Sequence, residues 1–186
     1  QVTKTMVLCQ ASTLFLDFGI TWTLVGHSER RLVFGESNEV CAAKAHAALE
    51  AGMTVVFCVG EELAQREDGS TMEVVGAQLA ALLQGLPAGS WERLLIAYEP
   101  VWAIGTGKTA SPQQAQDTHA DIRAWLGTNA GTEVASGTRI AYGGSVKPAN
   151  CNELMAQPDV DGFLVGGASL KADFVQIIES AALKGQ

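Results

Sequence analysis

Two short stretches of the sequence carry side chains suited to proton transfer, and each stretch includes or follows a run that is typical of a β-strand. In AYEPVWAIGTGK (97–108), Glu99 stands where an apolar run ends, and a proline follows it at once. In GHSERR (26–31), His27 and Glu29 come directly after TWTLV. A glutamate in a cleft walled by apolar side chains is suited to act as a general base, because burial raises the pKa of a carboxyl group towards neutral pH. The structural alternative is a salt-bridged glutamate and a histidine that bonds loop carbonyls.

Paired glycines follow two further apolar runs, in YGGSV (142–146) and VGGASL (165–170). Two such turns side by side can direct backbone N–H groups at one point, which is an arrangement that binds anions. One glycine pair alone is weak evidence, because such pairs are common in tight turns. Two pairs at neighbouring strand ends indicate a phosphate site.

Composition limits the classes of function that the chain can have. Of its 186 residues, 47% are hydrophobic and 17% are charged, as in ordinary globular proteins. The formal net charge of -8 argues against a general affinity for nucleic acid or for a membrane surface. An anionic substrate would therefore need local backbone N–H groups or a well-placed lysine. No apolar run in the sequence reaches membrane-spanning length, and we expect no signal peptide.

The cysteines and histidines do not form a metal-binding or disulfide pattern. The four cysteines, Cys9, Cys41, Cys58 and Cys151, are scattered along the chain, and no H-E-x-x-H motif is present. We therefore expect no disulfide framework, no metal, and a reducing, cytoplasmic location.

Apolar, strand-like runs alternate with helical patterns along most of the chain. Strands are expected within 21–26, 53–60, 93–100, 138–144 and 160–167, and helices within 37–52, 70–85, 111–127, 147–157 and 171–185. Strands separated by helices pair in parallel through right-handed crossovers. This order fits both an open doubly wound sheet and a closed (β/α)8 barrel, although no turn carries the dinucleotide motif G-x-G-x-x-G. In both folds, chemistry belongs at the carboxyl ends of the strands.

Four other residues in these patterns are interpreted as structural. Cys58 is expected to pack within the second strand. Glu61 follows that strand and is expected to open a short helix, where its charge suits the helix dipole. His46 and His119 fall inside helical patterns and are expected on the surface.

Four stretches taken together resemble one family. TLVGHSERR, AYEPVWAIGTGK, YGGSV and DVDGFLVGGASLK occur in the order and at the spacing of the triosephosphate isomerases, and the match runs from about residue 11 to the C-terminus. The resemblance implies an α/β fold of the TIM (β/α)8-barrel family. It also implies interconversion of dihydroxyacetone phosphate and D-glyceraldehyde 3-phosphate through an enediol(ate), in glycolysis and gluconeogenesis. The family works as a homodimer and without a cofactor.

The resemblance also assigns roles to single residues. Glu99 matches the base that carries a proton between two carbons, His27 matches the neutral imidazole that polarises the carbonyl oxygen, and Glu29 matches a glutamate that helps to organise the site. The residues that match the closing lid are Pro100, Val101, Trp102, Ala103, Ile104, Gly105, Thr106, Gly107 and Lys108. The residues that match the phosphate contacts are Gly105, Ser145, Gly166 and Gly167.

The sequence departs from the family at its start. A complete (β/α)8 barrel has about 250 residues, and about five of the eight strand–helix units are recognisable here, as an incomplete barrel. Residues 1–10 are an unmatched head in which TMVLCQ is a candidate residual strand, and residues 11–186 are expected to form a single partial barrel domain. The family's Asn-x-Lys pair has no match, and Lys4 lies too near His27 in sequence to take the role of that lysine.

Two functions therefore remain open from the sequence. The first is a triosephosphate isomerase, for which loss of the lysine is expected to reduce transition-state stabilisation by several kcal/mol. The alternative is a catalytically impaired partial barrel that acts as a phosphate-binding or self-associating scaffold, because the missing units would expose apolar sheet edges.

Overall fold

Five parallel strands form one sheet, and their spatial order follows their order along the chain. The computed structural model describes residues 4–104, 106, 109–182 and 184. The strands are β1 (Trp22–Val25), β2 (Thr54–Val59), β3 (Leu94–Tyr98), β4 (Ile140–Tyr142) and β5 (Gly162–Phe163). A doubly wound sheet reverses its strand order at a switch point, whereas a barrel wall does not. The unreversed order therefore fits part of a TIM barrel, as the sequence predicts.

Helices follow the strands as expected. They are α1 (Lys4–Asp17), α2 (Ser28–Leu32), α3 (Asn38–Glu50), α4 (Leu63–Asp68), α5 (Thr71–Leu83), α6 (Pro112–Asn129), α7 (Thr132–Gly137), α8 (Cys151–Met155) and α9 (Phe174–Ala182). Short 3-10 helices span Ser90–Arg93, Val101–Ala103 and Gly167–Leu170. The five strands and five helices expected from the alternation are all present, although β4 and β5 are shorter than expected. Among the described residues, no helix is both long and apolar enough to cross a membrane.

Capping side chains fix where two of the long helices begin. The hydroxyl of Ser37 accepts a hydrogen bond from the backbone N–H of Val40 at the start of α3. Ser111 does the same for Gln114 at the start of α6, and the Gln114 side chain accepts from the Ser111 N–H in return. Pro112 occupies the first turn, where its missing N–H has no partner to lose. Both starts agree with the sequence prediction.

The head of the chain does not form the expected residual strand. Residues 5–10 belong to α1, which continues to Asp17 and packs against α3. An isolated strand would need a sheet edge to pair its backbone groups, whereas a helix pairs them within itself. Because α1 crosses the expected boundary between residues 10 and 11, the division into a head and one partial barrel domain stays a prediction.

The apolar core lies between the sheet and the helices that cover it. On β2 and β3 the side chains of Val55, Phe57 and Ile96 are fully buried, and Leu79 of α5 and Ile122 of α6 pack into the same cluster. On the other face of β2, Cys58 is buried whereas Thr54 and Val56 are half-buried, so the almost continuously apolar run MTVVFCV is fully covered on one face and partly covered on the other.

Apolar side chains are exposed beside both outer strands. Within the described residues, one edge of β1 and one edge of β5 have no strand partner. The exposed residues of the β1 flank are Leu14, Phe15, Phe18, Ile20, Trp22 and Leu24, and those of the β5 flank are Leu170, Val175 and Ile178. Both flanks depart from the usual separation of apolar and polar surface, as do Leu32, Val33 and Phe34 at the end of α2.

His119 is buried, so its expected surface position is wrong. It lies on α6 with no solvent exposure, and its ring packs edge-on against Tyr98. Its Nδ1 lies 3.0 Å from the backbone oxygen of Asp159, while Nε2 has no partner within the described residues. Burial lowers the pKa of His119 from its ordinary 6.5 to about 4. The ring is therefore neutral at pH 7 and donates its Nδ1 proton to the carbonyl.

Arg123 on the same helix, α6, connects that helix to the end of the sheet. The guanidinium of Arg123 donates to Asp159 and Asp161 at 2.7 Å each, and also to the backbone oxygens of Ala135 and Thr138. Partly buried, charge-assisted bonds of this kind are stronger than exposed ion pairs. Arg123 thus holds α6, α7 and the connection before β5 together.

We predict that His119 makes folding stability depend on pH below neutrality. Between pH 6.5 and about 4 the unfolded chain binds a proton that the folded chain excludes, so the unfolding free energy falls as the pH falls. The loss reaches on the order of 3 kcal/mol by pH 4. Urea unfolding of His119→Gln at several pH values should show a flatter profile. His46→Gln, at a half-buried histidine of α3, is the matched control, and equal profiles for the two variants would contradict this prediction.

Candidate active site

Residues at the carboxyl ends of β1, β3, β4 and β5 line a cavity of about 540 Å³. Parallel pairing brings all five strand ends to the same edge of the sheet, so residues far apart in sequence meet there. The predicted residues that line the cavity are His27, Glu99, Ile104, Ser145, Gly166 and Gly167. The structure thus brings together the proposed base, the proposed electrophile and both glycine turns.

Glu99 presents a buried carboxylate to this cavity. Its residue surface is 2% exposed, Oε1 lies 3.0 Å from Nε2 of His27, and Oε2 accepts a 3.0 Å hydrogen bond from the backbone N–H of Ser28. Burial raises the pKa of Glu99, while His27, the Ser28 N–H and the Cys58 thiol favour the charged form and offset part of that rise. The net effect is a pKa above that of an ordinary glutamate, which is the direction that suits a general base.

The backbone beside His27 fixes which ring nitrogen carries the proton. Nδ1 of His27 accepts a 3.3 Å hydrogen bond from the backbone N–H of Glu29, so the proton of a neutral ring is on Nε2. Nε2 is also the nitrogen that faces Glu99. In this structure the Nε2 proton is directed at Glu99, and the same N–H is the group that can donate a hydrogen bond to an oxygen atom in the cavity when it is not held by the carboxylate.

Glu29 reaches the site through its backbone alone. Its side chain is exposed in the first turn of α2 and does not line the cavity. The predicted organising role of the Glu29 carboxylate stays a prediction. Ser28, which sequence reasoning missed, supplies the N–H that holds Glu99. Its position at the first residue of a helix was the available signal, since such N–H groups lack a partner within the helix.

The expectation that Glu61 opens a short helix is wrong. Glu61 is 1% exposed, and its Oε1 accepts hydrogen bonds of 3.0 Å from both the Tyr98 hydroxyl and the Trp102 indole N–H. The neighbouring Glu62 caps α4 instead. Burial raises the pKa of Glu61, and the two donors lower it in part. Glu61 therefore ties the end of β3 and the start of the predicted lid to the end of β2.

The described part of the predicted lid begins as a short helical turn. The backbone N–H of Val101 donates to the backbone oxygen of Glu61 at 3.0 Å, and the Thr106 hydroxyl donates to the backbone oxygen of Trp102 at 2.8 Å. Ala103 is buried and Ile104 lines the cavity, which fits a segment that covers the site. The other predicted lid residues, Gly105, Gly107 and Lys108, lie outside the described residues.

The packing around Glu99 and Tyr142 requires glycine at both positions of the first glycine turn, Gly143 and Gly144. A Cβ at Gly143 would lie 2.9 Å from Cγ of Glu99, and a Cβ at Gly144 would overlap the hydroxyl of Tyr142. Neither position accepts a side chain while Glu99 and Tyr142 keep their places. Gly166 and Gly167 have open space around a Cβ, so packing does not explain the second glycine pair.

Two lysines that sequence reasoning missed also line the cavity. Lys147 and Lys171 are exposed, and neither lies within ion-pair distance of a carboxylate in the described part of the chain. Each follows a glycine turn by a few residues, which was the available signal. No three histidine, cysteine or acidic residues among those described are placed to hold a metal ion.

We predict that Gly143→Ala displaces the carboxylate of Glu99 from His27. The new Cβ would meet Cγ of Glu99, and the forced adjustment should cost about 1–3 kcal/mol of unfolding free energy. The NMR signals of the His27 ring should shift in this variant. Gly162→Ala is the matched control because its Cβ would meet nothing within 4 Å. Unchanged His27 signals in Gly143→Ala would contradict the prediction.

Comparison with known proteins agrees with this geometry. The sequence profile of the family described as Triosephosphate isomerase matches residues 11–181. A relative from Oryza sativa subsp. japonica, named "Triosephosphate isomerase, cytosolic", is 55% identical over 174 residues, which are 94% of this chain and 68% of that protein. With a family match over almost the whole chain and more than half of the aligned residues shared with that relative, this chain belongs to the triosephosphate isomerase family.

Proposed function

We propose that the chain interconverts dihydroxyacetone phosphate and D-glyceraldehyde 3-phosphate, with Glu99 as the base and His27 as the electrophile. The observation that carries the proposal is the buried Glu99 carboxylate, 3.0 Å from Nε2 of His27, at the wall of the cavity. Membership of the family supports the same reaction.

The reaction needs one base that both removes and returns a proton. Glu99 takes a proton from the hydroxyl-bearing carbon of dihydroxyacetone phosphate, and the electron pair forms a carbon–carbon double bond as the carbonyl oxygen becomes negative. The Nε2 proton of His27 donates a hydrogen bond to that oxygen. The hydroxyl proton then moves from the hydroxyl oxygen to the former carbonyl oxygen. Glu99 finally returns its proton to the former carbonyl carbon. The raised pKa of Glu99 suits both steps.

The segment after Glu99 serves as the lid. An enediol phosphate loses its phosphate when water and the wrong conformer have access, so covering the site protects the intermediate. The anchor between Glu61 and Trp102 supports this role, because it fixes where the covering segment leaves the sheet. By resemblance, the amide of Gly105 reaches the phosphate when the lid is closed.

The phosphate binds at the glycine turns after β4 and β5. Ser145, Gly166 and Gly167 line that side of the cavity, and the open space around the second glycine pair leaves room for a ligand there. Lys147 and Lys171 add positive charge at the same wall. Local charge matters because the chain as a whole carries -8.

The scaffold alternative is not favoured. A protein that bound phosphate only would need the glycine turns but would have no use for a buried carboxylate opposed to a histidine. Glu61 shows that a buried carboxylate can also anchor the backbone, but Glu99 differs because it lies against a histidine at the wall of an open cavity, where phosphate binding alone does not need it.

We predict that Glu99→Gln lowers kcat by about 10²–10⁴-fold, because the amide cannot accept the substrate proton. A coupled dehydrogenase assay measures the turnover. Glu67→Gln makes the same chemical change at an exposed residue of α4 and should keep full activity.

Inorganic phosphate should bind all three chains equally, since the glycine turns are unchanged. Turnover in Glu99→Gln equal to the unaltered chain would overturn the assignment of the base. Phosphate binding without any turnover by the unaltered chain would favour the scaffold.

We also propose that the chain self-associates and works in the cytosol, within glycolysis and gluconeogenesis. The exposed apolar residues of the β1 flank support association with a second copy, because burying them removes apolar surface from water. The family works as a homodimer by the resemblance, and the rice relative is named as cytosolic.

We predict a solution mass above the 19.5 kDa of one chain. Replacing Phe18 and Trp22 of the β1 flank together by glutamate should return the mass to that of one chain, because charges would enter the apolar contact. Leu63→Glu alters an exposed apolar residue on α4, outside both flanks, and should leave the mass unchanged. Sedimentation velocity measures all three, and a monomeric unaltered chain would contradict self-association.

A further inference from the structure

A buried glutamine holds the backbone beside the proposed base. Gln78 lies on α5 and is 6% exposed. Its Oε1 accepts a 2.8 Å hydrogen bond from the N–H of Gly60, and its Nε2 donates a 3.0 Å hydrogen bond to the oxygen of the same residue. One side chain therefore satisfies both backbone groups of Gly60, which follows the last residue of β2.

Gly60 in turn lies directly against the main chain of Glu99. A Cβ at position 60 would overlap the backbone oxygen of Glu99 and lie 2.7 Å from its carbonyl carbon. The residue before it, Val59, accepts a 2.7 Å hydrogen bond from the N–H of Glu99. The end of β2 thus touches both the N–H and the carbonyl of Glu99, so a displacement of Gly60 is transmitted to Glu99.

We propose that Gln78 is a positioning residue for the base. By holding Gly60 from the side of α5, it fixes the main chain of Glu99 and thereby the distance between the carboxylate and His27. The proposal rests on the proposed function of Glu99. Proton transfer tolerates displacements of only about 0.5 Å, so a second residue that fixes the base contributes to rate without touching the substrate.

The chemistry of the contact explains why the residue is a glutamine. An amide offers one acceptor and a donor group in the same plane, which matches the oxygen and N–H of one residue. A leucine has a similar volume but offers neither bond, and a glutamate keeps the acceptor while losing the donor. Gln78 also borders a second cavity of about 440 Å³, through which water can reach Gly60 when the amide is removed. We therefore expect Gln78→Leu to fold.

The kinetic test compares Gln78→Leu, Gln78→Glu and Leu82→Ala. Leu82 is a fully buried residue of the same helix, so its truncation lowers stability without removing the bonds to Gly60. We expect kcat to fall by at least about 10-fold in Gln78→Leu and by less in Gln78→Glu. The KM for dihydroxyacetone phosphate should stay within about two-fold in both, because the glycine turns are unchanged. Leu82→Ala should lower the unfolding free energy while keeping kcat.

A second measurement does not depend on activity. Hydrogen exchange, followed by NMR, reports on the bond from the Glu99 N–H to Val59. In Gln78→Leu this amide should exchange at least about 10-fold faster, relative to the Ile96 N–H that bonds Arg139 across the sheet. In Leu82→Ala both amides should change together.

The outcomes separate the inference from the proposed function. Glu99 exchange in Gln78→Leu that matches the unaltered chain overturns the positioning role, whatever the activity. In an active chain, a kcat loss in Gln78→Leu no greater than that in Leu82→Ala overturns it as well. A chain without turnover, whose Glu99 amide is nevertheless loosened by Gln78→Leu, overturns the proposed reaction and leaves the structural coupling standing.

Discussion

The buried carboxylate of Glu99 is the constraint on which the site depends. A carboxylate removed from water is costly unless hydrogen bonds and opposite charge compensate it. Both main partners, the His27 ring and the Ser28 N–H, come from the loop after β1, whereas Glu99 follows β3. Because β2 lies between β1 and β3, its end must leave room for the side chain of Glu99 to reach His27. Parallel pairing in register provides the common edge on which this contact forms.

Glu61 is a second buried glutamate, and its hydrogen-bond partners give it a role different from that of Glu99. Burial raises the pKa of both Glu61 and Glu99. Glu61 bonds a phenol and an indole, which hold it but are poor partners for exchanging a proton at neutral pH. Glu99 faces an imidazole and an open cavity. One carboxylate is thus an anchor for the backbone, and the other is free to meet a substrate.

The sequence predicted the elements and the main chemical residues because their signals are local. Strand ends, helix caps and the residues directly after each strand can be identified within a few positions, and Glu99 and His27 were found in this way. The expected strand in the head was wrong because a short apolar run within six residues cannot distinguish a strand from part of a longer helix.

The remaining features depend on partners that are distant in sequence. Glu61 is buried because Tyr98 and Trp102 supply donors some forty residues later, and a glutamate after a strand does not indicate that by itself. His119 is buried because the connection before β5 offers the oxygen of Asp159. Gln78 occupies a helical pattern with no sign of its bond to Gly60, since the path of the segment between β2 and α5, which includes α4, decides that contact.

The close contact between Gly60 and Glu99 limits which residues can occupy position 60. At position 99 a glutamine would remove the base, yet it would fit the same space because the amide has the shape of the carboxylate. At position 60 every residue other than glycine meets the main chain of Glu99 at the first atom of its side chain. The narrowest choice of amino acid in this site therefore belongs to a residue that takes no part in the reaction. Selection for folding and selection for catalysis would act on different, touching positions.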